Sequence, residues 1–254
     1  MDVSNSPRKG IRFTKVTLIC MIGFLLSIIL LIVTITPHSP RYYFYGRMNA
    51  ELRDSELFED MRNGDSFCFV GDSITDGSLT GGVSWHHHLD KYIKVDVLDF
   101  SYTGWTTRTL VENKDLIPSA DIYVIAIGIN DVLYSDVGRG ATSSAEFVDN
   151  LSIVTERIRE ISPDAKFYFV APWVFRNFPD ETFARGDEYS GALKDWCEAD
   201  DYIYVDPDPI ILSVIDKDGW ERYMLDDIHP NAERGVGLYS YAVLEAEHRR
   251  TAGT

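Results

Sequence analysis

The chain has 254 residues, 45% hydrophobic, 13% aromatic and 25% charged, a composition that excludes a disordered or fibrous protein. Its net charge is −16, and residues 37–254 alone carry −19, because four bases (Arg8, Lys9, Arg12, Lys15) and only Asp2 lie before the first apolar run. A body this acidic repels phosphates, so no nucleic acid is expected as a partner. Three cysteines cannot make a disulfide framework either.

Val16 to Thr36 reads VTLICMIGFLLSIILLIVTIT and holds no charge over 21 residues. At 1.5 Å per residue such a helix crosses a hydrocarbon core of ~30 Å. A core helix would be apolar on one stripe rather than all round. A cleaved signal peptide would have an apolar stretch of only ~7–15 residues before a small-x-small site, whereas Pro37-His38-Ser39-Pro40 follows here. The reading is an uncleaved signal anchor, with the basic tail (1–15) in the cytoplasm and the rest outside the cell. A connector (37–65) with the aromatic cluster Tyr42-Tyr43-Phe44-Tyr45 leads into the body, 66–254. Within the connector, Glu51–Met61 is expected as a short polar helix.

Five runs rich in β-branched and aromatic residues are expected as buried strands: Ser66–Val70, Val95–Phe100, Asp121–Ile127, Lys166–Val170 and Tyr202–Val205. Cys68 lies in the first, as a free buried thiol. Helical patterns separate them. In Ala145–Ile161, Phe147, Leu151, Val154, Ile158 and Ile161 recur at steps of 4, 3, 4 and 3, which is one helix face. Ser143 and Glu146 have capping-box spacing before it, and Pro163 follows it. Other helices are expected from Ser84 (Trp85, Leu89 and Tyr92 inward), over Thr106–Asn113, over Asp187–Glu198 and over Ala232–Glu247. This alternation predicts a parallel sheet with helices on both faces, and ligands at the carboxyl ends of its strands.

Four of the segments beyond the strands carry polar residues in suggestive order. Gly71-Asp72-Ser73 follows the first strand and places a serine at a turn. Ser101-Tyr102-Thr103-Gly104-Trp105 follows the second, and Gly104 allows close backbone approach or a positive φ. Gly128-Ile129-Asn130-Asp131 follows the third and offers a neutral amide donor. Near the end, Asp226-Asp227-Ile228-His229-Pro230 places an acid three residues before a histidine. Each block alone reads equally well as a turn or a helix cap.

Together, in this order, the four blocks resemble those of the SGNH hydrolases, also called the GDSL esterase/lipase family. The resemblance spans residues 66 to about 245 and implies a three-layer α/β/α fold with a five-stranded parallel sheet. It implies Ser73 as nucleophile, His229 as general base and acid, and Asp226 as the group that orients His229, with Asp227 the alternative. It implies an oxyanion hole from the N–H of Ser73, the N–H of Gly104 and the amide of Asn130, and neither metal nor cofactor. Asp72 and Asp131 are expected to make structural hydrogen bonds. The second block departs from the family pattern: Asp99-Phe100-Ser101-Tyr102-Thr103 precede Gly104, so Tyr102 crowds the acyl pocket.

The expected function is hydrolysis of a short acyl ester, an O-acetyl group above all, on an extracellular carbohydrate. Tyr102 and Trp105 would narrow the acyl site. In the loop after the fourth strand, Trp173 would stack on a sugar, with Arg176 and Asn177 as hydrogen-bonding neighbours, unless Trp173 and Phe175 simply pack beneath the loop. A lipid-directed esterase or lysophospholipase, an acyltransferase to sugar, and a non-enzymatic surface binding module are the alternatives. His86-His87-His88 is read as a partly exposed helix face rather than a metal site, and Asp206-Pro207-Asp208 as a solvated loop.

Overall fold

The computed structural model describes residues 15–35, 55–63, 66–90 and 97–252. In chain order the elements are α1 (Lys15–Ile35), α2 (Glu56–Asn63), β1 (Phe67–Gly71), α3 (Ser73–Asp76), α4 (His87–Asp90), β2 (Val97–Ser101) and α5 (Thr107–Glu112). There follow β3 (Ile122–Ala126), α6 (Ile129–Tyr134), α7 (Ser144–Ile161), β4 (Lys166–Val170), α8 (Asp180–Ala199), β5 (Ile203–Val205), α9 (Asp208–Asp218) and α10 (Gly235–Ala252).

The five strands are all parallel, in the order β2-β1-β3-β4-β5. Side chains alternate across a strand, and both sheet faces are covered, so the central strands β1 and β3 are apolar throughout. Phe67 and Phe69 of β1, Ile122 and Val124 of β3, and Tyr168 and Val170 of β4 enter one core with α2, Trp85, Leu89, α9 and α10. Their neighbours Cys68, Val70, Tyr123, Ile125, Phe167 and Phe169 enter the other, against Leu110 of α5, Phe147, Leu151, Val154 and Ile158 of α7, and Tyr189 and Leu193 of α8. The three-layer α/β/α fold with a five-stranded parallel sheet is thus as the sequence predicts.

The strand order places the site. From β1 the chain steps outward to β2, then crosses back to β3 and continues to β4 and β5 on the other side. The direction reverses between β1 and β3, which opens a crevice at their carboxyl ends. The register pairs Gly71 with Ala126 there, so Ser73 and Asn130, just beyond, flank that crevice.

Several expectations shift. The helix expected over Asp187–Glu198 begins at Asp180, because the run from Pro179 supplies a helix start that charged residues conceal. Asp206 is exposed as expected, but Pro207 caps α9, Asp208 opens it and Pro209 follows in its first turn. Proline suits a first helical turn, and Oδ1 of Asp208 is shielded from solvent with no hydrogen-bond partner among the described residues. Burial, with Asp206 adding repulsion, drives the Asp208 carboxyl well above the usual range. His86 is buried in a turn before α4, stacked on Phe69 at 4.3 Å, with Nε2 3.1 Å from Asp99. It is core, not an exposed helix face. Tyr92 and most of the connector lie outside the described residues.

The anchor expected over 16–36 is not shown. Lys15–Ile35 is helical, with Leu18, Ile19, Phe24, Leu26 and Leu30 all exposed. Among the described residues no helix is long and apolar enough to cross a membrane.

Candidate active site

Ser73 opens α3 immediately after β1. Asp72 caps this one-turn helix by accepting the Ile74 N–H at 3.1 Å, and Gly77 closes it at φ 71°, a left-handed conformation suited to glycine. The approach to it is tight: a Cβ at Gly71 would meet the Ala126 carbonyl at 2.6 Å. Only glycine lets β1 turn so close to β3. Ser73 is 5% exposed.

The Ser73 hydroxyl lies 2.9 Å from Nε2 of His229. On the far side of the imidazole, Nδ1 lies 2.9 Å from Oδ2 of Asp226. Oδ1 of Asp226 accepts the backbone N–H groups of Ile228 at 2.8 Å and His229 at 2.7 Å. Partial burial opposes ionisation of Asp226, but these backbone donors and the imidazole outweigh it and hold the carboxyl below its usual range. A carboxylate only accepts, so Nδ1 carries the proton and Nε2 presents its lone pair to the serine. Asp227 is placed elsewhere. Its Oδ1 accepts Arg176 Nε at 3.0 Å and Asn177 Nδ2 at 2.8 Å.

Gly104 sits in a turn closed by the Trp105 N–H donating to the Tyr102 carbonyl at 3.2 Å. Its φ of 77° is what the third position of a type II turn requires, and a Cβ would meet nothing within 4 Å. Here glycine serves conformation rather than space. Asn130 lies in the first turn of α6, and its Nδ2 donates to the Trp105 carbonyl at 2.9 Å. An amide nitrogen has two hydrogens, so one remains for a ligand. Asp131 is structural: it accepts the Thr107 N–H at 2.9 Å, the Thr107 hydroxyl at 2.7 Å and the Ala141 N–H at 2.8 Å. Asp72 is buried with Oδ2 lacking a partner among the described residues. Burial pushes its pKa up to about 7 against the bond from Ile74, and Asp131 pushes the same way.

Tyr102 is 49% exposed and lies on Trp105 with ring centroids 4.3 Å apart, so the pair forms an aromatic wall beside Gly104. Trp173 packs beneath its loop, one of the two readings the sequence allows. Its ring is 1% exposed, between Tyr239 at 4.8 Å and Trp85 at 5.9 Å, and offers no face to a sugar. Arg176 and Asn177 are likewise committed to Asp227.

Sequence reasoning missed the supports of the His229 loop. The Trp220 indole N–H donates to the Asp226 carbonyl at 2.7 Å, and Arg176 lies over the Trp220 ring at 4.8 Å while pairing with Glu221 at 3.0 Å. Asn177 adopts φ 60°, which asparagine tolerates better than most residues. No sequence spacing links 176 to 227; only the fold brings them together.

A doubly covered parallel sheet, with a hydroxyl, an imidazole and a carboxylate in hydrogen-bonded series at its switch point, is an arrangement suited to acyl transfer. The comparisons give the class its name. The model of the GDSL-like lipase/acylhydrolase family matches residues 69–233, well over half of the chain. The chain belongs to that family and is an esterase of the SGNH type. Among solved structures it is similar to a mutant of an acetyl-xylooligosaccharide esterase from Geobacillus stearothermophilus, with 22% identity, TM-score 0.61, and coverage of 74% of this chain and 96% of that one. It is also similar to a member of the lipolytic G-D-S-L family from Veillonella parvula, with 20% identity, TM-score 0.57, and coverage of 71% and 96%. No curated protein matches the sequence.

Proposed function

We propose that the protein hydrolyses short acyl esters, acetyl esters above all, on a carbohydrate outside the cell, through Ser73, His229 and Asp226. The observation that carries the chemistry is the 2.9 Å contact between Ser73 Oγ and His229 Nε2. A serine hydroxyl is a weak nucleophile unless a base takes its proton. In this reading Oγ of Ser73 attacks the ester carbonyl carbon while its proton passes to Nε2. The carbonyl oxygen becomes an oxyanion, met by the N–H groups of Ser73 and Gly104 and by Nδ2 of Asn130. His229 then gives the proton to the departing alcohol oxygen, leaving an acyl-serine. Water, deprotonated by the same nitrogen, releases the acid and restores Ser73. Asp226 keeps the proton on Nδ1 and stabilises the imidazolium.

Three things support these assignments. The contacts in series fix the tautomer the mechanism needs. Catalytic mutants of the acetylxylan esterase from Geobacillus stearothermophilus, similar to this chain at 19–20% identity, replace a serine, an aspartate and a histidine, the last two separated as Asp226 and His229 are. The wall of Tyr102 and Trp105 beside Gly104 favours a small acyl group. An uncharged glycan also suits the acidic body better than an anionic lipid does. Attachment to the membrane through residues 16–36, with the body outside, rests on the uncharged 21-residue run and the four bases before it.

The test is a panel of esters of increasing acyl length with the full chain in detergent, beside acetylated oligosaccharide. Acetyl esters are expected to turn over fastest, and faster cleavage of octanoyl esters overturns the short-acyl reading in favour of a lipid substrate. Protease added to intact cells is expected to digest residues 37–254, and protection of the body overturns the topology.

A further inference from the structure

We infer that Thr103 is a positioning residue: its hydroxyl clamps the turn that carries the Gly104 N–H onto the helix that carries Ser73. The inference rests on the reading of Gly104 as an oxyanion donor. Gly104 itself has no side chain by which to be held, so its position depends on its neighbours. All three are tied. The Tyr102 N–H donates to the carbonyl of Gly71, the last residue of β1, at 3.2 Å. The Trp105 carbonyl accepts Asn130 Nδ2 at 2.9 Å. Between them, Thr103 Oγ1 donates to Oδ2 of Asp76 at 2.8 Å and meets the Ser78 hydroxyl.

The Thr103 tie is the one that runs to α3. Asp76 is the last residue of that helix, and Ser73 is the first. The other two ties fix the turn to β1 and to α6, and the Thr103 hydroxyl adds a side-chain tie to the far end of α3. The separation of the turn from α3 sets the distance from the Gly104 N–H to the oxygen that becomes charged when Ser73 attacks. A donor in an oxyanion hole acts over a few tenths of an ångström, so a loosened turn loses part of what removal of the donor loses. Thr103 and Ser78 are both exposed, so the clamp adds little to stability.

The experiment compares Thr103→Val, Thr103→Ser, Asp76→Ala and the double variant Thr103→Val/Asp76→Ala on an acetyl ester, with Ser73→Ala alongside. Thr103→Val removes the hydroxyl and keeps the shape. It is expected to lower kcat about ten-fold, with KM and Tm unchanged, a fraction of the loss typical for removing a whole donor. Thr103→Ser is expected to restore kcat, and the double variant to lose no more than Thr103→Val alone, since both changes break one contact. Wild-type kcat in Thr103→Val, no recovery in Thr103→Ser, or a loss accompanied by a fall in Tm overturns the clamp. Full activity in Ser73→Ala overturns instead the reading of Ser73 on which the clamp depends.

Discussion

Arg176 holds Asp227 at 3.0 Å, and so turns the nearer-numbered of two aspartates away from His229. The consecutive acids Asp226 and Asp227 are chemically identical, and both lie within a loop's reach of the imidazole. The guanidinium, with Asn177 beside it, takes one and leaves the other to Nδ1.

Asp226→Asn is therefore expected to lower kcat by ~1000-fold or more, because an amide permits the wrong imidazole tautomer. Asp227→Asn is expected to cost less than ~10-fold, since it weakens a half-exposed ion pair. Steady-state kinetics on one acetyl ester decide it. A larger loss from Asp227→Asn transfers the orienting role.

Ser73→Ala is expected to abolish ester hydrolysis and leave the circular dichroism spectrum and Tm intact, since alanine fits the space serine occupied. A fluorophosphonate is expected to label the wild type and not this variant. Labelling at another serine, with activity retained, removes Ser73 from the mechanism.

Asn130→Ala is expected to lower kcat by ~100- to 1000-fold, the usual cost of one oxyanion donor. Its second hydrogen bond, to the Trp105 carbonyl, is lost too. Asn130→Asp keeps the shape but offers an acceptor, and is expected to be no better than alanine. Near-wild-type kcat in either variant removes the side chain from the oxyanion site.

Asp72 gives a stability prediction with a definite sign. Burial raises its folded-state pKa from 3.8 to about 7. A raised carboxyl pKa means that the neutral form suits the fold, so the contribution is fully present below about pH 3.8 and is lost as pH rises through about 7. Asp72→Asn is permanently uncharged. The Tm of this variant relative to wild type is expected to be higher at pH 8 than at pH 4. Comparing the two pH values cancels the constant cost of burying the amide. A difference that does not change with pH shows that Asp72 titrates normally.

Trp173→Ala is expected to destabilise the fold by ~3–5 kcal/mol, the cost of emptying a large core site. The ring fills the space between Trp85 and Tyr239. Denaturant unfolding measures the loss, and activity on small esters and on acetylated oligosaccharide is expected to fall together. Selective loss on the oligosaccharide restores Trp173 as a sugar contact.

The strands and most of the helices can be read from the amino-acid sequence, because their signals are local. Lys166–Val170 is a strand over the very residues whose β-branched and aromatic side chains predict one. Ser144–Ile161 is a helix because its apolar residues recur on one face and Ser143 caps it through the Glu146 N–H. The four blocks were legible for the same reason: each is a short contiguous run, three of them at strand ends and the fourth in the loop before α10. The remaining features involve residues far apart in the chain, which meet only once the sheet is assembled. Trp173 is buried because Trp85, in the turn before α4, and Tyr239 of α10 pack against it. The choice between Asp226 and Asp227 depends on a guanidinium 51 residues away. Asp208 reads as a solvated acid because composition records charge, while its burial follows from where α9 packs on the sheet. The clamp of Thr103 on Asp76 spans 27 residues, with β2 between them. Periodicity reports which face of an element is apolar, whereas pairing across loops is fixed by strand order and register, and these are properties of the whole fold.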